Sequence, residues 1–127
     1  MAVQLNHTIV QTSDQRESAT FMASVLGLPE PSRFGPFLVV EAANGVSLDF
    51  YEVRTDITPQ HYAFLVSEHE FDEIFARIVE RGVTHYADPG GTRPGEINHH
   101  DGGRGTYFAD PAGHWLEIIT RPYGSGS

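Results

Sequence analysis

The feature that most constrains this chain is one sequence pattern that occurs twice. His7 lies in a β-branched, apolar segment, and a helical stripe follows that ends at Gly27. The same order returns at His61 and ends at Gly82 after a nearly equal number of residues. Two copies are fewer than a repeat array needs, so the pattern indicates a duplicated module rather than a solenoid.

The first copy predicts a strand, a helix and then three strands. Asp14 followed three residues later by Glu17 is typical of a helix N-terminus, because the two side chains can cap free backbone N–H groups. Asn44-Gly45 predicts a tight turn, and the segments 37–42 and 46–53 on either side of it form a hairpin.

The second copy predicts the same elements with a longer connection. Ser67 and Glu70 form a second capping pattern after a strand at 61–66. The helix that follows has apolar residues at the spacing of a core-facing stripe: Phe71, Ile74, Phe75 and Ile78. A Gly- and Pro-rich loop at 88–103 then leads into a hairpin formed by 104–110 and 115–120.

These patterns predict an α+β fold built from two βαβββ modules, paired into curved sheets around a cleft. The modules span about 4–54 and 60–122 within a single domain at 1–123, and 124–127 is expected to be a flexible tail.

Charge and cysteine content exclude several classes of protein. The formal net charge is −9, all eight basic residues are arginine, and there is no cysteine. Binding to nucleic acid rests mainly on basic groups that meet phosphates, so no nucleic-acid partner is expected. A disulfide framework and thiolate metal sites are impossible. No apolar run reaches the length of a bilayer span, so we expect no membrane partner and a cytoplasmic location.

Three ligand-type side chains occupy the middle of otherwise apolar strands: His7, His61 and Glu117. A carboxylate at such a position is costly to bury unless its charge is compensated. Two imidazoles and one carboxylate form a donor set that holds a divalent metal and leaves positions open for substrate. The sequence therefore predicts a metal site.

A simpler interpretation takes each residue alone. A single strand histidine is more often a hydrogen-bonded core residue, and Glu117 could pair with an arginine such as Arg104. His114 is expected to be a turn residue rather than a ligand, because 110–113 (DPAG) prevents a helix there and residues three apart on a strand point to opposite faces. What favours the metal site is the equivalent placement of the candidate ligands in the two copies.

The duplicated pattern and the segment 107–117 (YFADPAGHWLE) resemble the vicinal oxygen chelate superfamily. That superfamily includes glyoxalase I, bleomycin-resistance proteins, extradiol dioxygenases and fosfomycin-resistance thiol transferases. The resemblance covers about 5–123. It implies that His7, His61 and Glu117 are the metal ligands, and it places Asp49 where glyoxalase I has a fourth, glutamate ligand. Aspartate is one methylene shorter, so Asp49 is a candidate ligand, catalytic base or substrate contact.

The resemblance implies a metal-dependent enzyme of glyoxalase or dioxygenase type. One divalent ion per chain (Fe, Mn, Ni, Co or Zn) would act as a Lewis acid on a small substrate with neighbouring oxygens. Arg104 and Tyr107 are candidate substrate contacts, or surface strand residues. A homodimer is expected, in which His7 of one subunit joins His61 and Glu117 of its partner.

Two alternatives on the same fold differ in chemistry. A drug-binding protein would hold a cationic antibiotic in an acidic, aromatic groove, but such a groove needs no metal ligands. A fosfomycin-type transferase acts on a phosphonate, and a chain without lysine offers few cations to hold that charge. The loop 88–103 is either a mobile lid or a passive connection.

Overall fold

The computed structural model describes residues 2–126, and these divide into two compact units at the junction between Thr58 and Pro59. Each unit contains one α-helix and its own four-stranded mixed sheet. The α+β fold with two βαβββ modules is therefore confirmed. The interpretation of 1–123 as a single domain stays a prediction, and Met1 lies outside the described residues.

The first unit has the element order that the sequence predicts. Its elements are β1 (His7–Thr12), α1 (Gln15–Leu26), β2 (Ser32–Phe34), β3 (Phe37–Glu41) and β4 (Ser47–Glu52). The strand order is β1-β4-β3-β2, with β1 parallel to β4 and the other neighbours antiparallel.

Local sequence sets the limits of α1. The side chain of Asp14 accepts a hydrogen bond from the backbone N–H of Glu17 at 3.0 Å, which caps the N-terminus of the helix. Gly27 ends the helix with a φ of 72°, a conformation that a side chain disfavours. Both boundaries agree with the sequence prediction.

Alternation along the strands gives the first sheet two different faces. The face against α1 buries apolar side chains, namely Val10, Leu38, Val40, Leu48 and Phe50. The opposite face carries His7, Ile9 and Asp49, which lie at alternate positions of β1 and at the paired position of β4.

The second unit repeats this arrangement. Its elements are β5 (His61–Leu65), α2 (Glu68–Glu80), β6 (His85–Tyr86), a short 3-10 helix (His100–Gly102), β7 (Gly105–Ala109) and β8 (Trp115–Ile119). The strand order is β5-β8-β7-β6, again with only the first neighbouring pair parallel.

The start of α2 is the capping box that the sequence predicts. The hydroxyl of Ser67 accepts from the backbone N–H of Glu70 at 3.0 Å, and the carboxylate of Glu70 accepts from the N–H of Ser67 at 2.8 Å. Phe71, Ile74 and Ile78 are buried, as the apolar stripe requires.

The loop 88–103 is held by its own hydrogen bonds. The carboxylate of Asp88 accepts from the backbone N–H of Thr92 at 3.0 Å. The buried side chain of Asn98 donates to the carbonyl of Ala87 at 2.8 Å. Whether this loop closes over a ligand stays a prediction.

The end of the chain follows β8 through a turn. The backbone N–H of Ser125 donates to the carbonyl of Pro122 at 3.1 Å. The predicted tail at 124–127 includes Ser127, which lies outside the described residues.

Within residues 2–126, no helix has the length and apolar character that crossing a bilayer requires.

Candidate metal centre

Glu117 lies at the middle of β8, on the face of the second sheet that α2 does not cover. Its neighbours across the sheet are Ala63 on β5 and Tyr107 on β7. The side chain of Glu117 is 0% exposed. A carboxylate in such a place needs a compensating charge or several donors, because its hydration is lost.

His61 is brought to Glu117 by the parallel pairing of β5 and β8. The Nε2 atom of His61 lies 3.1 Å from Oε1 of Glu117, and the Nδ1 atom lies 2.9 Å from the carbonyl oxygen of Trp115. A carbonyl only accepts hydrogen bonds, so Nδ1 carries a hydrogen. Nε2 then faces the carboxylate with either a proton or a lone pair, and a lone pair there requires a cation between the two groups.

This pair has the features of two metal ligands. A histidine ligand usually donates from its second nitrogen to a carbonyl or carboxylate, which fixes the ring. The Trp115 carbonyl has this role for His61. The 3.1 Å separation from Glu117 is shorter than twice the usual ligand distance of about 2.0–2.2 Å, so one ion can contact both atoms. The donors therefore fit a divalent ion.

Two tyrosines complete the surroundings of Glu117. The hydroxyl of Tyr123 donates a short hydrogen bond to Oε2 of Glu117, and the hydroxyls of Tyr123 and Tyr107 lie 3.0 Å apart. Burial and the hydrogen bond to Glu117 raise the pKa of Tyr123 well above its ordinary value. Burial also raises the pKa of Tyr107. Both phenols therefore stay protonated and available as donors.

Aromatic rings form a wall beside the pair. The ring of Tyr107 stacks with His61 at a centroid distance of 6.0 Å and with Trp115 at 6.1 Å. Tyr86 lies 5.3 Å from Trp115. The indole Nε1 of Trp115 is buried and has no hydrogen-bond partner among the described residues. A hydrogen-bond donor therefore remains unsatisfied in this wall.

The first unit places its own histidine and carboxylate at equivalent positions. Asp49 pairs with Ile9 and Val39 across the sheet, as Glu117 pairs with Ala63 and Tyr107. Asp49 is only 8% exposed, and its Oδ1 atom is buried without a hydrogen-bond partner among residues 2–126. The Nδ1 atom of His7 lies 2.7 Å from the side-chain oxygen of Asn6.

A groove of about 470 Å³ opens on this face of the first sheet. Both His7 and Asp49 line it, together with the apolar side chains of Ile9, Phe34, Phe37 and Val39. The ring of Phe34 is 72% exposed. The groove thus combines apolar walls with one buried, unpartnered acceptor.

Arg104 is not brought to Glu117. Its guanidinium donates to Glu68 and to Asp72 at 2.8 Å each and lies 4.3 Å from the centre of the Phe71 ring. These partners all belong to α2, on the other side of the sheet from Glu117. The suggestion that Arg104 neutralises Glu117 is therefore wrong, and its role as a substrate contact stays a prediction that this placement does not favour. Tyr107, by contrast, borders the pair.

Three other histidines have different surroundings. The buried ring of His114 accepts from the backbone N–H of Gln60 at 3.0 Å, so it supports the start of β5. His85 packs edge-on against Phe75. His69 is exposed on α2.

Within the part of the chain that the structure describes, no group of three or more His, Asp or Glu side chains forms a complete metal site. The structure brings two of the three predicted ligands together, His61 and Glu117, in the second unit.

Sequence reasoning missed the role of Tyr123. The residue lies past the last strand and before a Gly-Ser tail, in a segment with no periodic pattern. Its contact with Glu117 depends on the turn of the chain after Ile119. The number of tyrosines near the predicted carboxylate was the only available signal, and it does not single out Tyr123.

Comparisons with known proteins agree with this architecture. A family profile described as "Glyoxalase/Bleomycin resistance protein/Dioxygenase superfamily" matches residues 4–118. Among curated proteins, the chain is 32% identical to a glutathione transferase FosA from Serratia marcescens over 93% of this chain and 81% of that protein.

Two solved structures are far more similar. A chain named oxidase ChaP-H2 has 64% sequence identity and a TM-score of 0.97, and the match covers 100% of both chains. A chain named oxidase ChaP-H1 has 62% identity and a TM-score of 0.96 over 98% of this chain and 100% of that one.

Proposed function

This chain belongs to the glyoxalase/bleomycin resistance protein/dioxygenase superfamily, and from that premise we propose that it is a metal-dependent oxidase of a small molecule. The oxidase branch is preferred to the glyoxalase branch because the two chains named oxidase are 62–64% identical over nearly the whole length. Fold alone would not favour either reaction.

One observation carries the proposal: the pairing of His61 with the fully buried Glu117. The Trp115 carbonyl fixes the His61 ring, and the Nε2 atom of His61 faces Oε1 of the carboxylate at 3.1 Å. His7 is proposed as the third ligand. A divalent ion held by these residues would supply a Lewis acid for two neighbouring oxygens of the substrate.

The chain's own side chains have distinct proposed roles. Asp49 is the candidate catalytic base or substrate contact, because its Oδ1 atom is buried without a hydrogen-bond partner among residues 2–126 and it lines the same groove as His7. Tyr107 is a candidate substrate contact from the second unit, where its ring stacks with His61. A substrate that suits the first-unit groove presents a hydroxyl or amine donor to Asp49 and an apolar body to Ile9 and Phe37.

We propose further that the protein is a homodimer with shared sites, in which His7 comes from one subunit and His61 and Glu117 from the other. Co-expression of His7→Ala and Glu117→Ala subunits tests this arrangement. Shared sites give one intact metal site in each mixed dimer, because the two changes fall in the same site. If each chain builds its own site, no mixed dimer binds metal, and a monomeric mass would contradict the assembly outright.

The proposed reaction is tested by metal analysis and oxygen uptake. Purified protein should contain about one divalent ion per chain, and reconstitution with iron, manganese, nickel, cobalt or zinc identifies the active metal. The loaded protein is then screened against catechols and α-hydroxy ketones with an oxygen electrode. Oxygen uptake that depends on substrate and disappears in Glu117→Ala supports an oxidase. Metal binding without any oxygen uptake argues against the oxidase proposal.

Two other functions are outcomes of the same screen. Binding of a cationic antibiotic by metal-free protein would favour a sequestering protein. Metal-dependent loss of glutathione in the presence of fosfomycin would favour a transferase, which the 32% identity to FosA makes a specific second candidate. Against it, Arg33, which lines the groove, already donates to Gln15 at 2.6 Å.

A further inference from the structure

We propose that Tyr123 is a positioning residue that occupies Oε2 of Glu117, so that the carboxylate binds its metal through Oε1 alone. This inference rests on the proposed function, because it concerns how Glu117 serves as a ligand. It assigns a role to the segment after β8, which neither the duplicated pattern nor the strand alternation explains.

The two oxygens of Glu117 have different partners. Oε1 faces Nε2 of His61 at 3.1 Å, whereas Oε2 accepts the short hydrogen bond from the Tyr123 hydroxyl. Since Glu117 is 0% exposed, water cannot replace that donor without a rearrangement. Oε2 is therefore the oxygen that faces away from His61 and is already bonded.

A second tyrosine holds the first in place. The hydroxyl of Tyr107 lies 3.0 Å from the hydroxyl of Tyr123, and Tyr107 is 5% exposed on the central part of β7. The residue Tyr123 as a whole, by contrast, is 60% exposed, and it is its hydroxyl that reaches the buried Glu117. Its hydroxyl thus has two specific polar contacts while its ring contributes little packing, a combination that fits positioning better than support of the core.

A carboxylate held in this way leaves room at its metal. A bidentate glutamate uses two coordination positions, and a monodentate one uses a single position. With Oε2 bonded to Tyr123, the second position stays open for an oxygen of the substrate. Removing the phenol hydroxyl frees Oε2 to bind the ion as well.

Cobalt(II) binding by the full chain tests the proposal without any substrate. In Tyr123→Phe the freed Oε2 of Glu117 should join Oε1 as a ligand of Co²⁺. The visible absorption of bound Co²⁺ should then weaken because its coordination number increases. Tyr51→Phe is the matched control, since it removes a phenol hydroxyl from β4 of the first unit and should leave the spectrum unchanged. An unchanged spectrum of bound Co²⁺ in Tyr123→Phe would overturn the proposal.

A metal-free measurement separates this inference from the proposed function. Tyr123→Phe should lower the urea midpoint of unfolding more in the wild-type background than in the Glu117→Gln background, because a neutral amide oxygen accepts a weaker hydrogen bond than a carboxylate does. Equal shifts in both backgrounds would show that Tyr123 does not act through Glu117. If wild type binds no Co²⁺, the metal site itself fails and so does the claim of monodentate binding, whatever the unfolding data show.

Discussion

The two units have equivalent strands but treat the equivalent carboxylates differently. Glu117 meets His61 and Tyr123, whereas Asp49 has a buried oxygen without a partner among residues 2–126. The register is the same, since each carboxylate pairs with the residue two positions after the histidine of its own unit. Duplication has thus preserved which residues share a face, and the chemistry depends on what surrounds them.

The neighbours explain the difference. Glu117 lies between Ala63 and Tyr107, so a small side chain leaves room and a phenol reaches the site. Asp49 lies between Ile9 and Val39, which offer no hydrogen-bond donor. The carboxylate of Glu117 in the second unit therefore has partners for both of its oxygens, whereas Oδ1 of Asp49 in the first unit has none among residues 2–126. Four measurements can break or sharpen this comparison.

The largest difference is expected in metal binding. Glu117→Gln should weaken affinity for a divalent ion by at least about a hundredfold, because it removes the charge of the proposed ligand itself rather than of an outer-sphere partner. Asp49→Asn should change the affinity by less than about threefold and act on turnover instead. Competition with a chromogenic chelator measures both, and a comparable loss in Asp49→Asn would make Asp49 a fourth ligand.

The same two substitutions should change the stability of the metal-free protein in opposite directions. Glu117→Gln should lower the free energy of unfolding by about 1.5–3 kcal/mol, because the hydrogen bond from Tyr123 loses its charged acceptor. Asp49→Asn should raise it by about 1 kcal/mol, because a carboxylate whose buried Oδ1 has no hydrogen-bond partner among residues 2–126 is replaced by a neutral amide. Urea titration in the presence of a chelator measures the free energy of unfolding of both variants. A destabilised Asp49→Asn would reveal a partner for Asp49.

The loop 88–103 distinguishes the second unit from the first. A substitution in this loop is expected to have the next largest effect. Asn98→Ala should lower the free energy of unfolding by about 1 kcal/mol, because the hydrogen bond from the Asn98 side chain to the Ala87 carbonyl is lost. The matched control is Asn44→Ala in the exposed turn of the first unit. If the loop is a lid, turnover should also fall while the metal stays bound; unchanged turnover in Asn98→Ala would favour a passive connection.

The smallest effect is expected at Arg104. Its partners Glu68 and Asp72 are exposed, and exposed ion pairs contribute little because water screens them. Arg104→Gln should therefore leave KM and metal affinity unchanged and give the smallest change in thermal midpoint of the set. The variant with which Arg104→Gln is compared is Arg33→Gln, which alters the groove of the first unit. A large rise in KM for Arg104→Gln alone would restore its predicted substrate role.

The sequence predicted the fold well because its signals are local. The caps at Asp14 and Ser67 and the left-handed glycine at 27 depend on residues within a few positions. It also predicted that Glu117 and His61 belong to one site, and the parallel pairing of β5 with β8 brings them together. The suggested pairing of Arg104 with Glu117 was wrong because nearness along the chain was taken for nearness in space, whereas the guanidinium of Arg104 contacts Glu68 and Asp72 on α2.

By itself, then, the sequence determined the duplicated α+β architecture and the faces on which its histidines and carboxylates lie. Only the tertiary structure decided which of the two carboxylates, Asp49 or Glu117, has partners for both of its oxygens. His61 and Glu117 are 56 residues apart and meet through parallel strand pairing, and Tyr123 reaches Glu117 through the turn of the chain after β8. Hydrogen bonds act over about 3 Å, so a buried carboxylate is stabilised by whatever the fold brings within that distance and not by its neighbours in sequence.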